Sequence, residues 1–329
     1  MIVGGTSGIG EFTLKAFVQN TISPRVYIVG RSAPAAERII EECKSLNADG
    51  KVEFIPANVT ELAEVDRVCQ EIENREKKIN LLVQSQGNLT FAGRNETPEG
   101  LDRKMTLNFY SRMRFIHNLR PLLRNATTSK PHFASSLSIL GAGYEMAINL
   151  DDLELKNAYS TRRCADTTTL MNSFMTNEFA SREPTISFSH SNPSIVKTGL
   201  ARELPLWARG LYWVIVPFVS PFMLDVEECG QRQLFIATSG IYPPAKLADD
   251  SPLASRAPIP KGLSPVKGGD RKVGSGGYLA SWNCEPTGRP LLDDYRAQGV
   301  SKTIWEHTMG VFDKAATINQ ERNAVGSTR

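Results

Sequence analysis

Over its first two hundred residues the chain alternates short apolar runs with longer stretches in which apolar residues recur every three or four positions. Val26-Tyr-Ile-Val29, Val52-Glu-Phe-Ile-Pro56, Ile79-Asn-Leu-Leu-Val83, His132-Phe-Ala-Ser-Ser-Leu-Ser138 and Thr185-Ile-Ser-Phe-Ser189 read as strands. Between them, 35–46 carries Ile39, Ile40 and Cys43 on one side, and 62–75 carries Leu62, Val65, Val68, Cys69 and Ile72 at helical spacing. A long helix is predicted over 101–123, stopped or kinked near Pro121, and another over 159–179 that begins at Tyr159. Parallel strands need long crossovers, and helices on both faces supply them. Right-handed crossovers then predict an α/β fold with a doubly wound parallel sheet, a Rossmann fold.

Beyond Thr198 the rhythm breaks. Residues 204–224 are apolar and aromatic, 227–238 read as a helix, and 245–277 are rich in Pro, Gly and Ser, as in a long surface loop. A short apolar piece follows at 278–282, then a last helix capped by Ser301, with a frayed tail after Thr317. We therefore expect one domain: residues 1–200 as the core that holds the catalytic residues, and 201–329 as a substrate-covering C-terminal extension. The uncharged run 210–224 is short for a bilayer and carries Pro217 and Pro221, which favours a buried or substrate-covering segment over an interfacial membrane contact.

The chemistry begins in the first ten residues, where Gly4, Gly8 and Gly10 follow the apolar Ile2-Val3. Glycine serves where backbone turns tightly and approaches a ligand closely. The amides of such a turn, opening a helix, cradle a pyrophosphate, and Thr6, Ser7 and Ile9 lie within it. Only three residues precede Gly4, so the chain is expected to start with a stub of strand or to lack residues upstream. After the second strand, where an acid would bind a ribose 2′-hydroxyl, stand Arg31 and Ser32; an arginine there accommodates a 2′-phosphate and favours NADP(H) over NAD(H).

Composition narrows the partners. A net charge of +3 gives no case for nucleic acid. The five cysteines are widely spaced with no Cys-x-x-Cys pair, so neither a disulfide framework nor a metal site is expected. Reduced thiols and the lack of a signal-peptide pattern suit a cytoplasmic protein, and the Asn-x-Thr sequons at Asn58, Asn88, Asn95 and Asn125 then read as chance.

With these motifs in order, the first two hundred residues resemble the short-chain dehydrogenase/reductase family, and in texture its fungal members. The glycine turn matches the cofactor turn of that family. Asn58-Val59 matches the pair near adenine, and Gly87 is the retained glycine of Gln84-Ser-Gln-Gly87, where Asn-Asn-Ala-Gly is typical. Asn108 matches the fourth-helix asparagine that holds a relay water. Pro193, Val196 and Thr198 match Pro-Gly-x-Val-x-Thr, whose threonine contacts the nicotinamide amide. The resemblance implies that a serine orients the substrate carbonyl, a helix-borne tyrosine transfers the proton, and a cation four residues later binds the nicotinamide ribose and lowers the tyrosine pKa.

Ser138, in Ser138-Ile-Leu-Gly141, fits the serine, with Ser135 and Ser136 as rivals. Tyr159 fits the tyrosine, with Tyr144 as a rival that lacks a cation four residues on. Arg163 stands where lysine is usual, and it is expected to supply charge with altered geometry. His190 reads as a packed strand histidine. The resemblance thus implies an NADP(H)-dependent enzyme interconverting a carbonyl and a secondary alcohol on a lipophilic small molecule, in secondary metabolism by analogy, and a dimer or tetramer. The alternatives are an isomerase, cyclase or dehydratase on the same fold, or a non-catalytic NADP(H)-binding protein.

Overall fold

The computed structural model describes residues 1–88, 92–128, 130–196, 210, 223–247 and 256–327. Strand β1 (Ile2–Val3) leads into helix α1 (Gly8–Gln19), and the alternation continues through β2 (Arg25–Gly30), α2 (Ala33–Leu46), β3 (Lys51–Pro56), α3 (Leu62–Arg75) and β4 (Leu81–Gln84). A composite helix follows: one turn of α4 (Arg103–Met105), a π-helical turn (Thr106–Tyr110) and α5 (Ser111–Thr128). Then come β5 (Ser135–Ile139), α6 (Thr161–Arg182), β6 (Ser187–Ser191), α7 (Val226–Thr238), β7 (Gly277–Ala280), α8 (Leu291–Ala297) and α9 (Val300–Ser327).

The seven strands form one sheet in the order β3-β2-β1-β4-β5-β6-β7, and every pairing is parallel. Strand order reverses between β1 and β4, the point at which doubly wound sheets open a crevice at their carboxyl ends. Side chains alternate between the faces with a period of two. Val3, Val29, Leu82 and Phe188 join the core under α3, α5, α6 and α9. Ile2, Ile28, Val83 and Leu137 join the core under α1, α2 and α7. The first face turns polar at its carboxyl end, where Gln84, Ser138 and His190 stand side by side in register on β4, β5 and β6.

Several boundaries differ from expectation for physical reasons. The apolar piece predicted at 278–282 falls largely in the seventh strand, Gly277–Ala280, hydrogen-bonded along β6, so the C-terminal part of the chain contributes to the sheet itself. Pro121 does not stop its helix, which runs on to Thr128. The His117 carbonyl, which a proline at 121 cannot reach with an N–H, accepts instead from the Arg120 guanidinium at 3.1 Å. The tail is helical to Ser327, held partway by Asn319, whose amide donates to Glu99 Oε1 at 3.0 Å. Helix α6 starts at Thr161, not at Tyr159, because Ser160 is its N-cap and its hydroxyl accepts from the Arg163 amide.

Candidate active site

The glycine turn is closed to side chains. Gly4 has φ +79°, and a Cβ there would lie 2.6 Å from the Gln86 nitrogen. A Cβ on Gly10 would lie 2.5 Å from the Gly4 carbonyl oxygen. Ser85 ties the two strands together, its hydroxyl lying 3.3 Å from both the Val3 and Gly4 carbonyls. Gly8, at φ +56°, opens α1. Ser7 occupies the N-cap in extended conformation and its side chain makes no capping bond, which leaves the amide-rich, positive end of the helix facing the crevice. Thr6 packs against Gly30, where a Cβ would meet its methyl group at 2.7 Å, and Ile9 packs on the apolar core below.

Around this turn lie the other residues singled out in the sequence. Arg31 is exposed directly beyond β2, and Ser32 caps α2 by accepting from the Ala35 amide. Asn58 folds its Oδ1 back onto the Thr60 hydroxyl at 2.9 Å, beside a buried Val59. Gly87 is exposed, and a Cβ on it would lie 3.7 Å from Asn108 Oδ1. Pro193 follows β6, and Val196 is buried and bridges to Leu224. Thr198 lies outside the described residues, as does all of 210–224 except Gly210, Met223 and Leu224.

Ser138 is buried beside the crevice and fully engaged. Its hydroxyl accepts from Arg112 Nη1 at 2.8 Å and donates to Asn172 Oδ1 at 2.9 Å. The Asn172 amide in turn donates to the Asn108 carbonyl at 3.0 Å. That carbonyl belongs to the π-helical turn, a distortion that recurs at functional sites. Of the rival serines, Ser136 shares the face of Ser138 and Ser135 points to the other; both hydroxyls are buried without a partner among the described residues.

The family model for short chain dehydrogenases matches residues 1–136. An oxidoreductase of Emericella nidulans is 35% identical over 325 residues, which cover 96% of this chain and 92% of the relative. The chain belongs to the short-chain dehydrogenase family. The oxidoreductase andH of Emericella variicolor is 33% identical, with 94% of this chain and 90% of the relative covered. Among solved structures, the RhlG/NADP active-site complex of Pseudomonas aeruginosa superposes with a TM-score of 0.55 at 21% identity, over 74% of this chain and 91% of that one.

In this short-chain dehydrogenase the tyrosine and arginine read from the sequence have partners of their own. Tyr159 precedes the N-cap of α6, so Tyr159 and Arg163 do not form a helical i, i+4 pair. Burial pushes the Tyr159 phenol well above its usual pKa, and the neighbouring Cys164 and Asp102 push it further. Arg163 is exposed, and its guanidinium donates to the Ala158 carbonyl at 3.0 Å. The structure links Ser138 through Asn172 to the main chain of Asn108, while Tyr159 has Cys164 and Asp102 as neighbours and Arg163 the Ala158 carbonyl. Tyr144 is 67% exposed.

Sequence reasoning missed Arg112 and Asn172. Arg112 is 1% exposed. Besides Ser138, its guanidinium donates to the carbonyls of Gln84 and Ile139, each at 3.0 Å, and of Gln86. Burial pulls its pKa down to about 9, so it keeps its charge at neutral pH. The signal for it was present: Met105, Phe109, Arg112, Ile116, Leu119 and Leu123 form one buried stripe, and a charge stands where the period calls for an apolar side chain. Asn172 carried no such signal, because the middle of α6 is buried on every side.

His190 is packed, as expected, but not inert. Its Nε2 accepts from the Gly141 amide at 3.1 Å, which places the proton on Nδ1, 3.0 Å from the Ser173 hydroxyl. Ser173 then donates to Glu145 Oε1 at 2.7 Å. Burial, and secondarily Arg112, pulls the His190 pKa down to about 3. A histidine whose folded pKa lies below its unfolded value near 6.5 contributes stability that is complete above pH 6.5 and is lost as pH falls toward the folded value. Urea unfolding should therefore show stability dropping from pH 7 to pH 4, and His190→Gln should flatten that slope. An unaltered slope in the variant would assign the acid sensitivity elsewhere, His117 being a second histidine pulled down by burial, to about 4.

Among the described residues, no group of three or more His, Cys, Asp or Glu side chains is placed to hold a metal, and no helix is long and apolar enough to cross a membrane.

Proposed function

We propose that this chain is an NADP(H)-dependent oxidoreductase that interconverts a carbonyl and a secondary alcohol on a lipophilic small molecule. The observation that carries this reading is the adjacency of two features: the closed glycine turn on β1, and Ser138 two strands away across β4 at the same carboxyl end of the sheet. The residues present fit a dinucleotide. A side chain at Gly4 or Gly10 would strike backbone, and the open N-terminus of α1 suits a pyrophosphate. The names of the relatives and the NADP held by RhlG support the same reading.

In this proposal the turn over Gly4, Thr6, Ser7, Gly8, Ile9 and Gly10 holds the pyrophosphate, and Arg31 with Ser32 meets the 2′-phosphate. Asn58, Val59 and Gly87 line the adenosine half, and Pro193, Val196 and Thr198 the nicotinamide half. The bound cofactor supplies or accepts hydride. Ser138 meets the substrate oxygen, turning its hydrogen from Asn172 toward it, while Asn108 fixes Asn172 through its carbonyl. Tyr159 and Arg163 are assigned no step, because Asp102, Cys164 and Ala158 engage them elsewhere. Those contacts favour a second reading, in which the fold keeps the cofactor but performs isomerase, cyclase or dehydratase chemistry.

Fluorescence titration with NADPH and a panel of lipophilic ketones decides between them. Tight NADPH binding with ketone-dependent oxidation of NADPH supports the first reading; binding without oxidation supports the second; no binding overturns both. Arg31→Ala should weaken NADPH by about tenfold, one charge-assisted contact, and leave NADH unchanged. An equal loss for both cofactors would remove Arg31 from the 2′-phosphate.

A further inference from the structure

We infer that Arg112 is the resident cation of the carbonyl-binding site, a positioning residue that acts through Ser138 to favour negative charge on the substrate oxygen. The inference rests on the oxidoreductase reading above. Among the described residues no carboxylate lies against the Arg112 guanidinium. Its bonds run to Ser138 Oγ and to the main-chain carbonyls of Gln84, Gln86, Ile139 and Leu107. A buried charge without a counter-charge is costly to fold around. Here five acceptors hold it in place, but none neutralises it. Its field therefore stays directed along the one bond that leads to the crevice, from Nη1 to the Ser138 hydroxyl. During reduction the C=O π pair moves onto oxygen as hydride from the cofactor reaches carbon, and the alkoxide so formed takes its proton from water of the open crevice to give the alcohol. A donor whose own oxygen is held by a fixed cation gives a stronger hydrogen bond to that oxygen than a neutral serine does. Preorganised donors of this kind act on the transition state without reorganisation.

The same geometry separates Arg112 from Arg163. Arg163 carries charge at the exposed first turn of α6, whereas Arg112 touches the serine itself. Among the described residues the guanidinium bonds to the carbonyls of Gln84, Gln86, Leu107 and Ile139 and to Ser138, which leads on to Asn172 and Asn108, and none of these groups ionises. His190, from β6, is held neutral by burial. Glu145 is reached only beyond His190 and Ser173. A change in the charge at position 112 thus has no ionised neighbour among these groups to mask it.

The test compares steady-state kinetics of the NADPH-loaded protein carrying Arg112→Met, Arg112→Lys, Ser138→Ala and the two double variants. Arg112→Met should lower kcat by about 10²-fold, the scale of losing one preorganised donor, and leave the NADPH dissociation constant unchanged. Arg112→Lys keeps a cation in the cavity but one that titrates readily when buried. Its kcat should therefore fall with rising pH at a lower pH than that of the parent protein. In the Ser138→Ala background neither change at 112 should lower kcat further. An unchanged kcat in Arg112→Met, or the same factor lost with and without Ser138, overturns the inference and leaves the oxidoreductase reading standing. A parent protein that binds NADPH but oxidises none of it overturns that reading, and the inference with it. Should Arg112→Met not fold, the pH profile of Arg112→Lys with and without Ser138 decides alone, a coincident profile overturning the inference.

Discussion

Ser138→Ala is expected to lower kcat by about 10²–10³-fold, whereas Tyr159→Phe should lower it by less than about tenfold, short of the 10²–10⁴ that general acid catalysis supplies. The ranking follows from where each hydroxyl is held. Ser138 joins the guanidinium of Arg112 to the side chain of Asn172 and, through it, to the π turn under Asn108. Tyr159 sits ahead of the α6 N-cap with Asp102 and Cys164 as neighbours, and burial makes its phenol a poorer acid. Steady-state rates with a saturating ketone check the comparison. A Tyr159→Phe loss equal to that of Ser138→Ala would mean that residues 157–163 rearrange to bring the phenol to the substrate.

Gly4→Ala is expected to abolish measurable NADPH binding and to destabilise the fold by about 3 kcal/mol, the sum of a strained positive φ and an overpacked contact. The added methyl has nowhere to go, because its nearest neighbours are backbone atoms of Ser85 and Gln86 rather than the ends of flexible side chains. Relief requires β1 and β4 to part, which opens the crevice that the turn lines. Gly93→Ala is the control: no atom of the described residues lies within 4 Å of the added methyl, and its stability should match the parent. Denaturant unfolding with and without NADPH measures both effects. Parental affinity in Gly4→Ala would show that the cofactor does not use this turn.

The sheet was legible from the chain because its strands are short apolar runs separated by helices with a clear buried stripe, as in Leu62–Arg75, whose limits match the pattern residue for residue. Strand β7 was only half legible: four residues after a loop rich in glycine carry no period, and pairing with β6 decides their conformation. The glycine turn was legible because only glycine tolerates that backbone. The proposed site was legible only in part. A tyrosine and an arginine four residues apart suggest one helical face, but Ser160 between them caps the helix and removes the tyrosine from it. The cation that does touch Ser138 comes from α5, 26 residues earlier in sequence, and proximity of that kind is set by packing alone.

The strand order also dictates a sequence of events during synthesis. Residues 2–3 hydrogen-bond on one side to β2 and on the other to β4, with Ile2 beside both Ile28 and Val83. The first partner emerges after one crossover, but the second only after two more. Until β4 is made, the first strands carry an unpaired inner edge, the kind of edge that invites pairing with another chain. Sheets built from such distant pairings close slowly. A chain halted before residue 81 therefore exposes this edge.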